Sequence, residues 1–445
     1  MKKALLFILL FLLCACSGQK RVVVPSQTET IVPFYHTQPL DIEIIPKLKP
    51  VRVGMLLPLS GKYRQLGEDL VNAAVLAQFE VAKNFTISPY DTQGTAEGAQ
   101  AAFMKAKQDS VDVILGPVFA AEVAKVAPLA RRSDIPVFSF SSDKDNLGDG
   151  VYSLALTLEN QTERIIRFAC EKGAQKLSIL APDNKAGDIA IDAAKKTAEA
   201  CGMDIVHLSV YNPTFVNFDP YVVSVLPESF VEERKNKQEM KKKLRSGALK
   251  QKDIKEDVAE EETTLTIAEQ LDFDALFIAD DGNRLKSISA LFGMYDVSPD
   301  DVLFLGLSTW NDRSLSKEGS LKHAYYPVLP VGGHTSFIKK YKETYAKEPS
   351  SKLASLSYDG VSLLWVLTSK PDWKYSDLLH RAEFVGTDGS FRFNENGTVE
   401  RLMGVYQIKG TDRFSRIERA SRNFAEEDAQ KAKMYEIRMY NSEEE

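Results

Sequence analysis

The 445-residue sequence is poor in the residues on which metal, redox and covalent chemistry depend. It holds four cysteines and five histidines. His36, His207, His323, His334 and His380 are scattered, and the cysteine spacing fits no zinc pattern, so no metal site is expected. No G-x-S-x-G elbow, no H-E-x-x-H pair and no Gly-rich dinucleotide fingerprint after a strand occurs. The run GMLLPLSGK superficially resembles a phosphate loop, but six residues separate Gly54 from Gly61 where four are required, and Tyr63 replaces the metal-binding hydroxyl. No nucleophile has an identifiable base, which argues against an enzyme, and no cofactor is expected. Charge of one sign is also lacking: 56 Lys and Arg against 62 Asp and Glu leave −6, with no reason to expect nucleic-acid binding. After residue 13 no apolar run approaches 18 residues, so no later segment is long enough to span a bilayer as a helix. The hydrophobic fraction of 44% and charged fraction of 27% are those of an ordinary globular chain, long enough for two or three domains.

What is present begins with MKKALLFILLFLLCAC. Lys2 and Lys3 precede an unbroken apolar run from Ala4 to Leu13, too short to cross ~30 Å of hydrocarbon but of the right length for a secretory signal. Leu13-Cys14-Ala15-Cys16 resembles a bacterial lipoprotein signal, which implies removal of residues 1–15 and lipid attachment at Cys16. The alternative is an ordinary signal peptide with incidental cysteines. Ser17 follows, where that resemblance leans towards the outer membrane. Residues 16–50 carry Pro25, Pro33, Pro39, Pro46 and Pro50 without helical period, and read as a tether. Extended, it reaches roughly 115 Å, and as a flexible coil nearer 30–35 Å. Cys170 and Cys201 remain, either as a disulfide or as two buried thiols.

From Val51 the pattern alternates strand and helix. VRVGMLLPL, NFTISPYDT, VDVILGP and IPVFSFSS read as strands, with helices over 65–81, 96–108 and 120–131 between them. The rhythm restarts after Tyr152, with helices over 160–171 and 187–200 and strands KLSILAP, DIVHLSVYN, FDALFIADD and VLFLGLS. Such alternation predicts an α/β fold of two doubly wound, parallel-sheet lobes with a cleft between them, where ligands sit beyond the carboxyl ends of the strands. Residues 232–262 interrupt the second lobe with ten Lys/Arg and nine Asp/Glu, a solvated insertion or a docking element. The charged tail, residues 416–445, is expected to be helical and either on the surface or disordered.

The runs VGMLLPLSGKYRQLGEDLVNAAVLA, DTQGTAEGAQAAFMKAKQDSVDVILGPVFAAEVAKVAPLARRSDIPVFSFSS and FVGTDGSFRFNENGTVERLMGVYQIKG resemble the type I periplasmic solute-binding proteins, the leucine/isoleucine/valine-binding family. ILGPVFAAEV and DDGNRLKSISALFGMYDV bring the likeness nearest to the penicillin-binding-protein activator group. The resemblance implies a three-strand hinge, with lobe one over 51–154 and 327–384 and lobe two over 155–326 and 385–415. It also implies ligand groups just after the third and fourth strands. There Phe119 and Ala120 stand where amino-acid binders carry serine, while Ser139 and Ser141 match better. Ser60 at a helix start could hold an anionic group. Across the cleft, Asp281 could pair with an ammonium and Trp310 could cover a ligand side chain. Each of these has an ordinary capping or core alternative. The partner implied is a peptidoglycan synthase or, on the rival reading, an ABC permease with an amino-acid-like ligand. The membrane is reached through the anchor alone.

Overall fold

Apolar, β-rich runs such as Val51–Leu57 tolerate burial on both faces only where helices cover both, and the chain meets this condition twice. The computed structural model describes residues 35–36, 50–82, 84–246, 265–369, 375 and 383–442. The segment 1–15, Cys16, most of the tether and residues 247–262 of the charged stretch lie outside the described residues.

Within the tether, Tyr35–His36 forms a short strand, β1. The first lobe's sheet uses β2 (Val51–Leu57), β3 (Phe85–Asp91), β4 (Val113–Leu115), β5 (Val137–Ser139) and β6 (Val151–Ser153), all parallel, in the order β3-β2-β4-β5-β6. Between them run α1 (Arg64–Glu80), α2 (Ala96–Gln108) and α3 (Ala120–Ser133). Thr95 starts α2 by accepting a hydrogen bond from Gly98 N at 3.0 Å. Helices α2 and α3 cover one face, with Phe103 and Val126 in one buried cluster with Ile114 of β4.

The second lobe repeats the plan with α4 (Leu158–Glu171), β7 (Lys176–Pro182), α5 (Lys185–Cys201) and β8 (Asp204–Tyr211). It continues with α6 (Asp219–Val223), α7 (Glu228–Arg245), α8 (Ile267–Gln270), β9 (Ala275–Ile278), α9 (Gly282–Met294), β10 (Leu303–Leu305) and β11 (Tyr325–Val328). Strands β8-β7-β9-β10-β11 are parallel. The described part of the charged stretch is the helix α7, anchored by buried Phe230 and Val231, with the Arg234 guanidinium 4.3 Å over the Phe230 ring. Cys170 at the end of α4 and Cys201 at the end of α5 form a disulfide, with Cα atoms 6.2 Å apart.

After β11 the chain returns to the first lobe. Helices α10 (Val331–Tyr345) and α11 (Leu353–Thr368) pack on its other face, where Tyr341 donates to buried Asp69 at 2.9 Å and Ser357 donates to Leu70 O at 2.7 Å. Next come β12 (Glu383–Gly386), β13 (Gly389–Phe393) and β14 (Val399–Arg401), antiparallel, with β1 on the outer edge of β12. Phe384, Phe391, Phe393 and Val399 of this third sheet lie in the first lobe's core. Finally β15 (Gly404–Gly410), antiparallel to β11, and β16 (Arg413–Glu418), antiparallel to β15, extend the second sheet. The lobes are thus joined at Leu154–Thr157, at Leu329–Pro330 and at Leu402–Met403. The last two joins differ from the sequence boundaries at 326/327 and 384/385. Strand β11 pairs through Val328 with β15, and the aromatic residues of β13 need the first lobe to bury them.

The tail is neither loose nor merely superficial in its described part. It forms α12 (Phe424–Ser442), with Phe424 buried under the Arg392 guanidinium. Arg392 forks to both Asp428 oxygens at 2.7 and 2.9 Å, buried Glu427 pairs with Arg167 of α4, and Lys431 bridges Glu400 of β14 to Glu163 of α4. A charged helix can dock in this way because each inward charge meets its opposite. By these pairs α12 straps α4 of the second lobe to the third sheet.

Candidate functional site

The carboxyl ends of β4 and β5 supply the polar groups expected to meet a ligand. Gly116 turns the chain there at φ +100°, across β2, where a Cβ would come within 2.4 Å of Leu56 O. The amides this turn presents are already used: Val118 N and Phe119 N donate to Glu122 Oε2 at 3.1 and 3.0 Å. Burial pushes the Glu122 carboxyl up, against these bonds. The Phe119 ring rests 4.7 Å from that of Tyr63. Ser139 is fully buried, donating to Pro117 O at 3.1 Å and accepting from Ser141 N at 2.9 Å.

A cavity of about 650 Å³ opens between the lobes, a size usual for small-molecule sites. Phe119, Ala120 and Ser141 line it, together with apolar Leu66, Phe140, Leu353 and Leu356. From the second lobe come Gln161, Ser308 and Asn311, with Ser308 N and Oγ both donating to Gln161 Oε1 at 3.0 and 2.6 Å.

The structure brings together Phe119, Ala120 and Ser141 of the residues named from sequence; the others lie outside the cavity lining. Ser60 bonds Asp91, and although burial would raise that carboxyl, the bonds from Ser60, Gln93 and Leu59 hold it below its usual range. Asp281 is exposed at the start of α9, and its neighbour Asp280 takes the Arg284 fork at 2.6 and 2.8 Å and the Tyr211 hydroxyl. Trp310 belongs to the second lobe's core: it is fully buried, its Nε1 donates to Asp280 O at 2.8 Å, and it lies so close over Gly306 that a Cβ there would be 1.9 Å from the ring.

Sequence reasoning missed the cavity's first-lobe floor, made by His334 of α10, Lys352 before α11, Asp388 and Arg401 of β14. Asp388 accepts from His334 Nδ1 at 2.8 Å and from Ser355 Oγ at 2.7 Å. Burial would raise its carboxyl, but His334, Arg401 and Ser355 hold it down. Asp359 lies behind, accepting from Thr387 N at 2.9 Å and Thr387 Oγ1 at 3.1 Å; burial and the Asp388 charge push it up to about 7. Arg401 is 2% exposed, and burial lowers its pKa against the pull of both carboxylates. Its Nη2 donates to Leu154 O at 2.8 Å and its guanidinium lies 4.7 Å over the Phe391 ring, while Nε and Nη1 have no hydrogen-bond partner among the described residues. No motif marks these residues. The faint signal is the second arginine of FRFNENGTVERL, Arg401, which follows Val399 at the end of a strand on the alternation that marks the buried face. Among the described residues no group of three or more His, Cys, Asp or Glu could hold a metal, and no helix is long and apolar enough to cross a membrane.

Residues 50–226 match the periplasmic binding protein family model. The penicillin-binding protein activator LpoA of Vibrio cholerae serotype O1 is 26% identical over 159 residues, which are 34% of this chain and 26% of the relative. The match therefore spans about a quarter of that relative's length. A putative branched-chain amino acid ABC transporter protein from Rhodospirillum rubrum superposes with a TM-score of 0.65 at 15% identity, covering 82% of this chain and 99% of the other. An ABC transporter substrate-binding protein from Sphaerobacter thermophilus gives 0.58 at 17% identity, over 83% and 97%. The chain has the α/β fold of the type I periplasmic binding proteins, with its two parallel sheets.

Proposed function

We propose that this chain is a non-catalytic, two-lobed periplasmic protein, held at the outer membrane by a lipid on Cys16, that docks on a peptidoglycan synthase and activates it. The observation that carries this reading is the sequence match to penicillin-binding protein activators. The strand ends of the first lobe support it. An amino acid's carboxylate would need free amides after β4 and free hydroxyls after β5, and here Glu122 holds the amides of Val118 and Phe119 while Ser139 is spent on Pro117. A tether after Cys16 lets the lobes reach a synthase away from the anchor, and three crossings allow rigid-body movement on a partner. The test is the polymerising and cross-linking rate of purified envelope synthases with and without the full chain, beside a pull-down. We expect one synthase to be captured and accelerated. No capture together with no change in rate would remove the reading.

A second reading, the solute-binding component of an ABC importer, is favoured by the interlobe cavity and by the fold of the transporter proteins above. It predicts thermal stabilisation by a free amino acid, ~2.7 kcal/mol at 100 times Kd. A flat response across an amino-acid panel discards it.

A further inference from the structure

We propose that the outer half of α7 is a basic arm that lays the second lobe on an anionic phospholipid surface. This goes beyond the docking role and shares with it only the lipid anchor proposed at Cys16. Vesicle binding and synthase capture are separate measurements, so either can fail alone.

Helix α7 is held to the second lobe by its first two turns, where Phe230, Val231 and Arg234 are buried. From Lys235 to Lys243 every residue is exposed. Among the described residues the last bond from this stretch to the body is that of Gln238, which donates to Met294 O at 2.6 Å. A helix lying along a globular body buries a stripe, and this stretch buries none. It is also strongly basic: Lys235, Lys237, Lys241, Lys242, Lys243 and Arg245 stand against Glu239 alone. Glu233 pairs with Lys237, and Glu239 with Lys243 at 3.4 Å. Lys235, Lys241, Lys242 and Arg245 are left without an acidic partner among the described residues. Lys237, Lys241 and Arg245 follow one another at four-residue spacing, a like-charge row that weakens a helix on its own. The helix dipole favours cations in the last turn, but it accounts neither for the length of the row nor for its exposure. Opposed to anions, the same row becomes attractive.

Apolar side chains stand beside these cations. Met240 is exposed on the arm itself, and Met294 and Leu265 are exposed next to it. Met294 holds Gln238 through its carbonyl, while Leu265 O accepts from Gln270, whose Oε1 accepts from Arg234. Cations bordered by exposed apolar side chains suit a membrane surface, with the charges at the phosphates and the apolar groups at the acyl boundary. A lipid on Cys16 would keep the lobes near such a surface, because the tether spans roughly 30–35 Å as a coil. That favours a bilayer over an acidic protein.

The test is sedimentation of the full chain with vesicles of phosphatidylcholine, alone or with about 30% phosphatidylglycerol. Whatever the N-terminus contributes is common to the parent and its variants. The parent should partition about a hundredfold better onto the anionic vesicles. That preference should shrink at about 1 M salt, where the Debye length falls to about 3 Å. Lys241→Gln, Lys242→Gln and Lys243→Gln together, all at exposed positions, should reduce it at least about tenfold. The same number of charges removed from the first lobe, by Lys105→Gln, Lys107→Gln and Lys125→Gln, should leave it nearly unchanged. Equal partition of the parent onto both kinds of vesicle overturns the proposal, and so does an equal loss in the two triple variants. Tighter binding to polyglutamate than to the same concentration of anionic lipid overturns it too, in favour of an acidic protein.

Discussion

At the strand ends of the first lobe, Glu122 gathers two amides and Ser139 bridges Pro117 and Ser141. On the floor of the same cavity, Arg401 keeps two nitrogens unbonded beside two carboxylates. Both regions are buried and both are polar, yet one is closed on itself and the other is open. A buried polar group that satisfies its neighbours holds a loop in place; one left unsatisfied costs stability that some other role has to justify. The unspent polar capacity of the cavity thus lies at β14 and not at the strand ends of the first sheet.

The comparison can be broken first at its charged centre. Arg401→Met leaves Asp359 and Asp388 buried without their cation, and should cost about 3–5 kcal/mol in urea unfolding at neutral pH. A variant as stable as the parent would show that the floor does not need its charge. The next effect is one of pH. Asp359 is raised from its unfolded value near 3.8 to about 7, so between these values the folded chain binds the extra proton. Stability from this group is therefore full at low pH and falls as pH rises through about 7. Asp359→Asn keeps an acceptor for Thr387 and should stabilise the chain by roughly 1–3 kcal/mol at pH 8, with the gain vanishing near pH 4. An equal gain at both pH values would contradict the assignment. The smallest effect belongs to the closed region: Ser139→Ala should cost about 1 kcal/mol in the same unfolding measurement. A cost as large as that of Arg401→Met would mean the two regions act as one.

The lobes, their alternating elements and most helix positions were legible because continuous apolar strands and capped helices are local patterns: Thr95, Thr157 and Asn184 each cap where the periodicity begins. The cavity was legible in part. Phe119, Ala120 and Ser141 follow strands directly, so their place derives from the strand ends. His334, Lys352, Asp388 and Arg401 come from four separate segments that only the packing of α10, α11 and the third sheet brings together, and nothing local marks them. Trp310 looked like a ligand cover from its place after a strand, but a large ring beside Gly306 is more stable buried in the core than held in a cleft. The docking of α12 escaped notice because its partners, Arg167, Glu163, Arg392 and Glu400, lie outside its own helix.

The three crossings between lobes have a consequence for the order in which the molecule can form. The buried face of α1 is covered by α11, and the core beneath β2 is completed by Phe384, Phe391 and Phe393. These pieces are separated by most of the second lobe's sequence. As the chain leaves the ribosome, the first lobe therefore presents an open apolar face for the whole time the second is being made. The segment 50–226, which matches the family model, holds only part of each core. Long separations of this kind slow folding and expose intermediates to aggregation. Nascent-chain handling is thus written into the topology: the lobe that begins first can be finished only among the last.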